Sequence, residues 1–382
     1  MPGTCRRSIS EMRGTPFGKR RIAMKGAGLI AAAGRSRRME GFKPLLEING
    51  FPMIAMTVQS MENAGIRDIT VVVGYRGEEV RRALKALEVK IVENPFWQDT
   101  DMLASVKLGL EAVDRRQGVF FLPGDIPLTS PGTFQKLREG ILAAEPETEA
   151  LIPASGGKTF HPPFLFPAGC QKALDYQGSR GLQGAFGAMK TKTVETADAG
   201  AQMDADDQKD LAHIRDYARK YRGISPQLCE KLYDEVNLPA HIRAHCMAVG
   251  DLAAWMARRL TEAGAFLDIE LCRSGGCLHD LLRLEPFHEK AVRKFLEEKG
   301  YLALAAVTGA HRGFEQEPDT LCREDVLVCL ADKLIMENRR VSLEERYRKA
   351  LEKKEVKKRI LQDIEICRRL IKEFEVMTGE RL

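Results

Sequence analysis

The sequence predicts an α/β domain built on a doubly wound, mostly parallel sheet, followed by an all-α domain. Short apolar runs alternate with helical patterns up to about residue 215, as expected for parallel strands joined by helices. From there to the C-terminus the pattern is helical, with no convincing strand. A chain of 382 residues is also long enough for two domains that each bury a core.

The apolar runs of the first domain place its elements in order. Strands are predicted at 27–33, 69–74, 89–92, 118–122 and 149–153. Helices are predicted at 52–64, 77–87, 102–113 and 131–144. Because ligands bind at the carboxyl ends of the strands in such sheets, functional residues are expected just after each strand.

Composition and charge limit the classes of protein that need to be considered. A content of 44% hydrophobic and 30% charged residues is ordinary for a globular protein. Six basic residues and one acidic residue within 1–23 account for the whole net charge of +5. This segment is predicted to be a disordered basic tail, and the neutral remainder argues against a nucleic-acid partner.

The hydropathy and the cysteine content indicate the cellular compartment of the protein. No apolar run approaches the ~20 residues that cross a bilayer, so no membrane partner is expected. The nine cysteines are scattered and form no C-x-x-C pair, which favours reduced thiols and a cytoplasmic location.

The first strand leads into a loop of small residues followed by cations. Residues 28–39 read Gly-Leu-Ile-Ala-Ala-Ala-Gly-Arg-Ser-Arg-Arg-Met, and Lys43 follows shortly after. Small side chains let backbone N–H groups approach phosphate oxygens, which the cations neutralise. A dinucleotide fingerprint over 26–31 is a weaker interpretation, because no acidic residue follows the second strand.

A second candidate feature is an aspartate that follows a buried strand. The run 119–122 leads into Pro123-Gly124-Asp125, so Asp125 lies in a turn stiffened by proline and glycine. Such a carboxylate is well placed to hold Mg²⁺, although a simple turn aspartate is the alternative.

Five ordered motifs resemble the nucleotidyltransferases that act on molybdenum cofactor. The loop with Lys43 is similar to L-A-A-G-x-S-x-R-M-G-x-x-K-x-L-L, with Glu40 in place of a glycine, and the Asp125 turn is similar to L-x-G-D-x-P. The other matches are an N-P-x-W segment from Asn94, an H-P-x-L-F-like strand from His161, and an acidic element over 203–207.

This resemblance implies transfer of CMP from CTP to a phosphorylated acceptor such as molybdopterin, with a molybdoenzyme as client. It assigns catalysis to Arg38, Lys43 and Asp125, and Mg²⁺ binding to Asp125 with either Asp204 or Asp206. It assigns nucleotide binding to Ala32, Ala33, Gly34, Arg35, Ser36, Lys43 and Gly124. The alternatives are another nucleoside triphosphate, a sugar or polyol phosphate acceptor, or a domain that senses a nucleotide without turnover.

The second half of the chain is rich in histidine. Five of the seven histidines lie between 241 and 311, and the pair His279-Asp280 is expected within a buried helix. His245 opens a predicted helix, Asp332 lies in an apolar helix, and His241 is interpreted as an ordinary loop residue.

The order H…HD…D resembles the HD phosphohydrolase superfamily. It implies that His245, His279, Asp280 and Asp332 bind a divalent metal: Mn²⁺, Fe or Mg²⁺. His288 and His311 fall where two-metal HD proteins place further ligands.

These features together predict the domain organisation. The basic tail covers 1–23, the transferase domain 24–215 and the HD domain 225–340. Residues 341–382 contain charged amphipathic helices that are expected to pack on the HD domain.

Overall fold

The protein is described from a computed structural model that covers residues 26–35, 41–309, 314, 317–352 and 358–382. The predicted tail at 1–23 lies outside these residues, as do the predicted site residues Ser36, Arg38 and His311.

The first domain contains one large sheet. The strands of the described residues are β1 (Ala27–Ala32), β2 (Glu47–Ile48), β3 (Phe51–Pro52), β4 (Ile69–Val73), β5 (Lys90–Glu93), β6 (Val119–Pro123), β7 (Ala150–Ser155), β8 (Lys158–Thr159), β9 (Phe164–Leu165), β10 (Thr191–Glu195), β11 (Ile335–Met336) and β12 (Arg339–Arg340). Eight of them form a sheet of order β10-β7-β9-β6-β1-β4-β5, with β8 paired to β7. Only β9 along this path runs antiparallel to its neighbours.

Helices cover the sheet and build the second domain. Within the described ranges they are α1 (Met53–Glu62), α2 (Gly77–Ala83), α3 (Met102–Ala112), α4 (Pro131–Leu142), α5 (Pro167–Asp175), α6 (Gly181–Gly187), α7 (Gln208–Tyr221), α8 (Pro226–Glu235), α9 (Ala240–Glu262), α10 (Ile269–Leu278), α11 (His288–Glu298), α12 (Leu302–Thr308), α13 (Glu324–Lys333), α14 (Leu343–Leu351) and α15 (Lys358–Thr378). None of these helices is long and apolar enough to cross a membrane.

The two faces of the sheet are buried by different helices. Ile30 and Leu122 belong to a cluster that includes residues of α1 and α4. The alternate residues Leu29 and Phe121 belong to another cluster, which includes residues of α3 and α5. Because successive side chains of a strand point to opposite faces, this pattern confirms the predicted doubly wound class.

The five predicted strands are present as β1, β4, β5, β6 and β7, and their ends differ from the predicted ends by one or two residues. The edge strand β10 was missed because most of its side chains are exposed and polar. The expectation of no strand after residue 215 was wrong, since β11 and β12 form a short antiparallel hairpin.

The second domain is helical as predicted, and its core is one large apolar cluster. Helices α8 to α10, α12 and α13 contribute to it. The last helix, α15, adds Ile366, Cys367, Leu370 and Phe374 to the same cluster.

Buried polar contacts join the two domains. The side chain of Asn63, which follows α1, accepts a hydrogen bond from the N–H of Ile269 at 3.0 Å. Arg222 donates to Asp268 at 3.1 Å and to the carbonyl oxygen of Thr129 at 2.6 Å. The connecting residues 222–225 are themselves buried, so the junction is part of the packed interior.

Candidate active sites

Lys43 is held between two carboxylates at the carboxyl edge of the sheet. Its Nζ atom donates to Asp125 Oδ2 at 3.1 Å and to Asp206 Oδ1 at 3.0 Å. Burial alone lowers the pKa of Lys43, but the two carboxylates outweigh this effect and hold the pKa above its ordinary value. The lysine is therefore a fixed positive charge at neutral pH.

The Asp125 turn is tied to the first strand. The N–H of Gly124 donates to the carbonyl oxygen of Ala31 at 2.9 Å, and the hydroxyl of Thr57 donates to the carbonyl oxygen of Gly124 at 3.3 Å. A Cβ atom on Gly124 would lie 2.9 Å from the Cβ of Ala32. This close approach explains the glycine and fixes the position of the neighbouring aspartate.

The acidic segment before α7 divides into a cap and two site residues. Asp207 is the N-cap of α7, because its side chain accepts hydrogen bonds from the N–H groups of Lys209 and Asp210. Burial raises the pKa of Asp204, and the nearby charges of Asp206 and Asp125 raise it further. Asp204 thus lies near the two carboxylates that pair with Lys43, and a divalent cation would stabilise these three negative charges.

The described part of the phosphate loop lies at the same edge of the sheet. Ala32 and Ala33 are buried, whereas Gly34 and Arg35 are exposed. A Cβ atom added to Gly34 would meet no atom of the described residues within 4 Å. Gly34 and Arg35 are thus the exposed end of the described part of this loop.

An aromatic group beside this loop was missed by sequence reasoning. The ring of Tyr75 lies 5.3 Å from that of Phe42 and 5.2 Å from that of Trp97, measured between centroids. The guanidinium of Arg35 lies 5.5 Å from the Tyr75 ring centroid. The available signal was the position of Tyr75 just after strand β4, where ligand-binding residues are expected.

His161 lies on the segment that leads into β9. Its ring packs edge-on against Phe121, with centroids 5.6 Å apart. Its Nδ1 atom is buried and makes no hydrogen bond to any of the described residues. Burial lowers the pKa of His161 to about 4, against the opposing charge of Asp125, so the imidazole is neutral at pH 7.

A second site lies in the helical domain, where the structure brings the four predicted HD ligands together. His245 lies on α9, His279 and Asp280 directly follow α10, and Asp332 lies on α13. The Nε2 atoms of His245 and His279 lie 3.4 and 3.6 Å from Asp332 Oδ1. The same atoms lie 4.0 and 3.6 Å from Asp280 Oδ2.

Backbone carbonyl groups orient both imidazoles. Nδ1 of His245 lies 2.7 Å from the carbonyl oxygen of Glu337, and Nδ1 of His279 lies 2.7 Å from that of Gly276. Because a carbonyl oxygen only accepts, Nδ1 carries a proton, and Nε2 is the ring nitrogen that faces the carboxylates. His245, His279 and Asp280 offer ligand atoms within 4.8 Å of one another, which suits a divalent transition metal or Mg²⁺.

Cations surround these carboxylates. Burial opposes ionisation of Asp332, but Lys333 and the two imidazoles hold the pKa of Asp332 well below its ordinary value. Lys333 Nζ lies 2.7 Å from Asp332 Oδ2, and Arg283 Nη1 lies 3.2 Å from Asp280 Oδ1. Asp332 is therefore held as an ionised carboxylate, which is the form that binds a metal.

His288 lies next to the four ligands. Its Nε2 atom is 3.2 Å from Asp280 Oδ1 and 3.2 Å from Arg283 Nη1. His311, its expected companion at a second metal, lies outside the described residues.

The HD residues open into a cavity of about 750 Å³, which is lined by His241, Ile242, Ala244, His245, Asp280, Arg283, Leu284, Asp332, Glu337, Asn338 and Arg346.

The interpretation of His241 as a loop residue was wrong, because α9 begins at Ala240 rather than at His245. His279 and Asp280 were expected inside a helix, but α10 ends at Leu278 and His279 is its C-cap.

Two known family models match separate parts of the chain. Residues 28–194 match the family model of the MobA-like NTP transferase domain, and residues 242–337 match that of the HD domain. The chain carries a MobA-like NTP transferase domain followed by an HD domain.

Curated relatives match the NTP transferase half. CMP-5'-(3-aminopropyl)phosphonate synthase of Streptomyces rubellomurinus is 31% identical over 183 residues, which are 46% of this chain and 27% of that protein. Bifunctional protein GlmU of Aquifex aeolicus is 34% identical over 117 residues, which are 30% of this chain and 25% of that protein. The chain thus spans about a quarter of the length of these relatives.

Among solved structures, a nucleotidyl transferase from Methanothermobacter thermautotroptrophicus has a TM-score of 0.45 and 24% identity, covering 50% of this chain and 97% of that one.

The two matches enclose most of the site residues. The NTP transferase match contains Lys43, Asp125 and His161, and the acidic segment with Asp204 and Asp206 lies beyond its end. The HD match contains all four residues of the second site and also His288.

Proposed function

We propose that the NTP transferase domain transfers CMP from CTP to the phosphate of a small-molecule acceptor. An acceptor oxygen attacks the α-phosphorus, a new P–O bond forms, and the bond to the departing pyrophosphate breaks. Such a step requires in-line positioning and neutralisation of charge more than covalent chemistry. The observation that carries the proposal is Lys43, held between Asp125 and Asp206 at the carboxyl edge of the sheet.

The cations and the backbone of the site have separate roles in this reaction. Arg35 of the loop and Lys43, which follows it, neutralise the charge that grows on pyrophosphate. The exposed backbone at Gly34 binds phosphate oxygens. Arg38 adds a further cation from the same loop.

Asp125 and Asp204 are the proposed ligands of Mg²⁺, and Asp206 is a partner of Lys43. Asp125 and Asp206 both pair with Lys43, at 3.1 and 3.0 Å. Of the two, Asp125 is the proposed ligand because its turn resembles the metal-binding L-x-G-D-x-P motif. Asp204 instead has a pKa raised by burial and by the two neighbouring carboxylates. The ion, when bound, supplies positive charge at the α-phosphate.

The choice of CTP is supported by the relative named as a synthase of a CMP-phosphonate, at 31% identity. Molybdopterin remains the first choice of acceptor because of the five motifs, and a phosphonate is the second choice because of that relative's name. A molybdoenzyme client and a cytoplasmic location remain predictions from the sequence.

For the HD domain we propose metal-dependent hydrolysis of a phosphate ester. The support is the set of four ligands beside a cavity of about 750 Å³ that is lined by Arg283 and Arg346. These two cations bind and orient an anionic substrate. Mn²⁺, Fe or Mg²⁺ in this site would supply Lewis-acid activation of phosphate and water.

The test is release of pyrophosphate by the full-length protein with Mg²⁺. CTP, GTP, ATP and UTP are offered in turn with molybdopterin, 3-aminopropylphosphonate, glycerol 3-phosphate or a sugar 1-phosphate. We expect release with CTP, and loss of that release in Asp125→Asn.

Asp114→Asn is the matched control, because Asp114 lies on the surface and pairs with Arg116. Nucleotide binding without release from any acceptor would contradict transfer and indicate a nucleotide-sensing domain.

A further inference from the structure

His161 carries one of several buried polar atoms in the NTP transferase domain that the described residues leave without a partner. Its Nδ1 atom is shielded from solvent and makes no hydrogen bond to those residues. Leaving such an atom unsatisfied is unfavourable, so it is expected to find a partner when a ligand binds.

The sheet topology places His161 at the edge where the chemistry occurs. Strand β9 runs antiparallel to β6, with Phe164 opposite Phe120, so the segment that leads into β9 comes from the carboxyl end of β6. The N–H of Phe121 donates to the carbonyl oxygen of Pro163 at 3.1 Å, which continues this pairing towards His161. His161 therefore lies at the same edge as Asp125.

The strand order also separates His161 from the nucleotide loop. The loop follows β1, which lies on one side of β6, whereas β9 lies on the other side. Asp125 follows β6 and so lies between the two. If the loop binds the triphosphate, the side of Asp125 that faces β9 is left for the second substrate.

We propose that Nδ1 of His161 donates a hydrogen bond to the phosphate or phosphonate group of the acceptor and positions it for attack. A neutral imidazole suits this task, because it orients the attacking oxygen without removing its negative charge. His161 is thus a positioning residue for the acceptor. This inference depends on the proposed nucleotidyl transfer.

The test is steady-state kinetics of the full-length protein, with CTP and whichever of the four acceptors gives the fastest wild-type release. His161→Phe keeps the ring but has no polar atom, and it is expected to raise the KM for the acceptor about tenfold with little change in the KM for CTP. His161→Asn returns a polar group near the Nδ1 position and is expected to restore the acceptor KM to within about threefold. His213→Phe, on the exposed face of α7, is the matched control.

A second variant covers the case in which His161→Phe does not fold. His161→Gln places its amide nearer the Nε2 position, so the same increase in acceptor KM is expected. CTP binding and thermal melting report folding for every variant.

The outcomes separate this inference from the transfer itself. Wild-type turnover with an unchanged acceptor KM in folded His161→Phe or His161→Gln overturns the role of His161 alone. Equal increases in the KM for CTP and for the acceptor overturn it too, because they indicate a structural role. Absence of wild-type turnover with every acceptor overturns the transfer and this inference together.

Discussion

The side chain of Asn63 accepts a hydrogen bond from the N–H of Ile269 at 3.0 Å, and this bond joins the end of α1 to the first residue of α10. Each helix is also connected to one of the two sites. Thr57 of α1 donates to the carbonyl oxygen of Gly124, next to Asp125. Helix α10 ends immediately before His279.

Asn63→Ala is expected to destabilise the whole protein. The buried N–H of Ile269 would lose its acceptor, which costs about 1–2 kcal/mol in the free energy of unfolding. Asn63→Asp keeps an oxygen at this helix N-terminus and is expected to lose less. Urea unfolding of the three proteins checks this, and equal stability of wild type and Asn63→Ala would contradict it.

Lys43→Ala is expected to lower kcat/KM for CTP about 10²- to 10³-fold, because the fixed positive charge between Asp125 and Asp206 is lost. Pyrophosphate release at varied CTP concentration measures the effect. Lys136→Ala is the control, since Lys136 is exposed and forms an ion pair with Glu139 on the same helix. A wild-type rate in Lys43→Ala would remove this lysine from the proposed mechanism.

Asp204→Asn and Asp206→Asn are expected to differ in metal affinity. Loss of the Asp204 carboxylate is expected to weaken Mn²⁺ binding about 100-fold, whereas Asp206→Asn leaves Lys43 paired with Asp125 and is expected to have a smaller effect. Calorimetric titration with Mn²⁺ measures both. The reverse order would make Asp206 the ligand.

Binding of Mn²⁺ at the proposed HD site would add to the heat measured in this titration. The variants are therefore compared in an Asp332→Asn background. Asp216→Asn serves as the matched control, since Asp216 lies exposed on α7 with Lys220.

Glu270 is expected to make stability depend on pH. Burial raises the pKa of Glu270 in the folded protein to about 7, with Arg273 opposing this and Asp268 and Glu62 adding to it. Its unfolded pKa of about 4.3 is lower, so the folded state retains a proton that the unfolded state has released. Stability is therefore expected to fall as pH rises from about 4.3 to 7, and to level off above that.

Glu270→Gln is expected to remove this part of the pH dependence. Urea unfolding at several values between pH 5 and 8 measures the slope for both proteins, with Glu139→Gln as an exposed control. An identical slope in Glu270→Gln and wild type would show that another group carries the dependence.

Asp332→Asn is expected to abolish metal binding and the proposed hydrolase activity of the HD domain together. Its oxygen lies within 3.6 Å of both histidine Nε2 atoms. Metal analysis and hydrolysis of p-nitrophenyl phosphate measure the loss, while pyrophosphate release with CTP is expected to continue. Asp325→Asn, on the same helix and paired with Arg323, is the control; retention of metal by Asp332→Asn would contradict the assignment.

Elements with a strong local pattern could be predicted from the sequence. Strands β1, β4 and β6 are wholly buried, so each reads as a nearly continuous apolar run, with Thr70 in β4 as the polar exception. The turn at Asp125 and the pair His279-Asp280 are contiguous in sequence and could be recognised without knowledge of the fold.

Features that depend on distant pairing could not be predicted. Strand β10 is an exposed edge strand whose partner β7 supplies its position. The contacts of Asn63 and Arg222 join residues far apart in the chain and leave no periodic signal. The partner of Lys43 in the acidic segment, Asp206 rather than Asp204, likewise depends on where α7 begins.

The burial of residues 222–225 affects how the two proposed activities can be studied separately. Arg222 bonds to both domains, and Ile224 belongs to the core of the HD half. Cutting the gene between Arg222 and Ile224 would separate Arg222 from Asp268, so the C-terminal fragment would keep Asp268 as a buried charge without this partner and would expose part of its apolar core. Loss of function in a truncated fragment would then report misfolding, so each activity is better silenced by a single substitution in the intact chain.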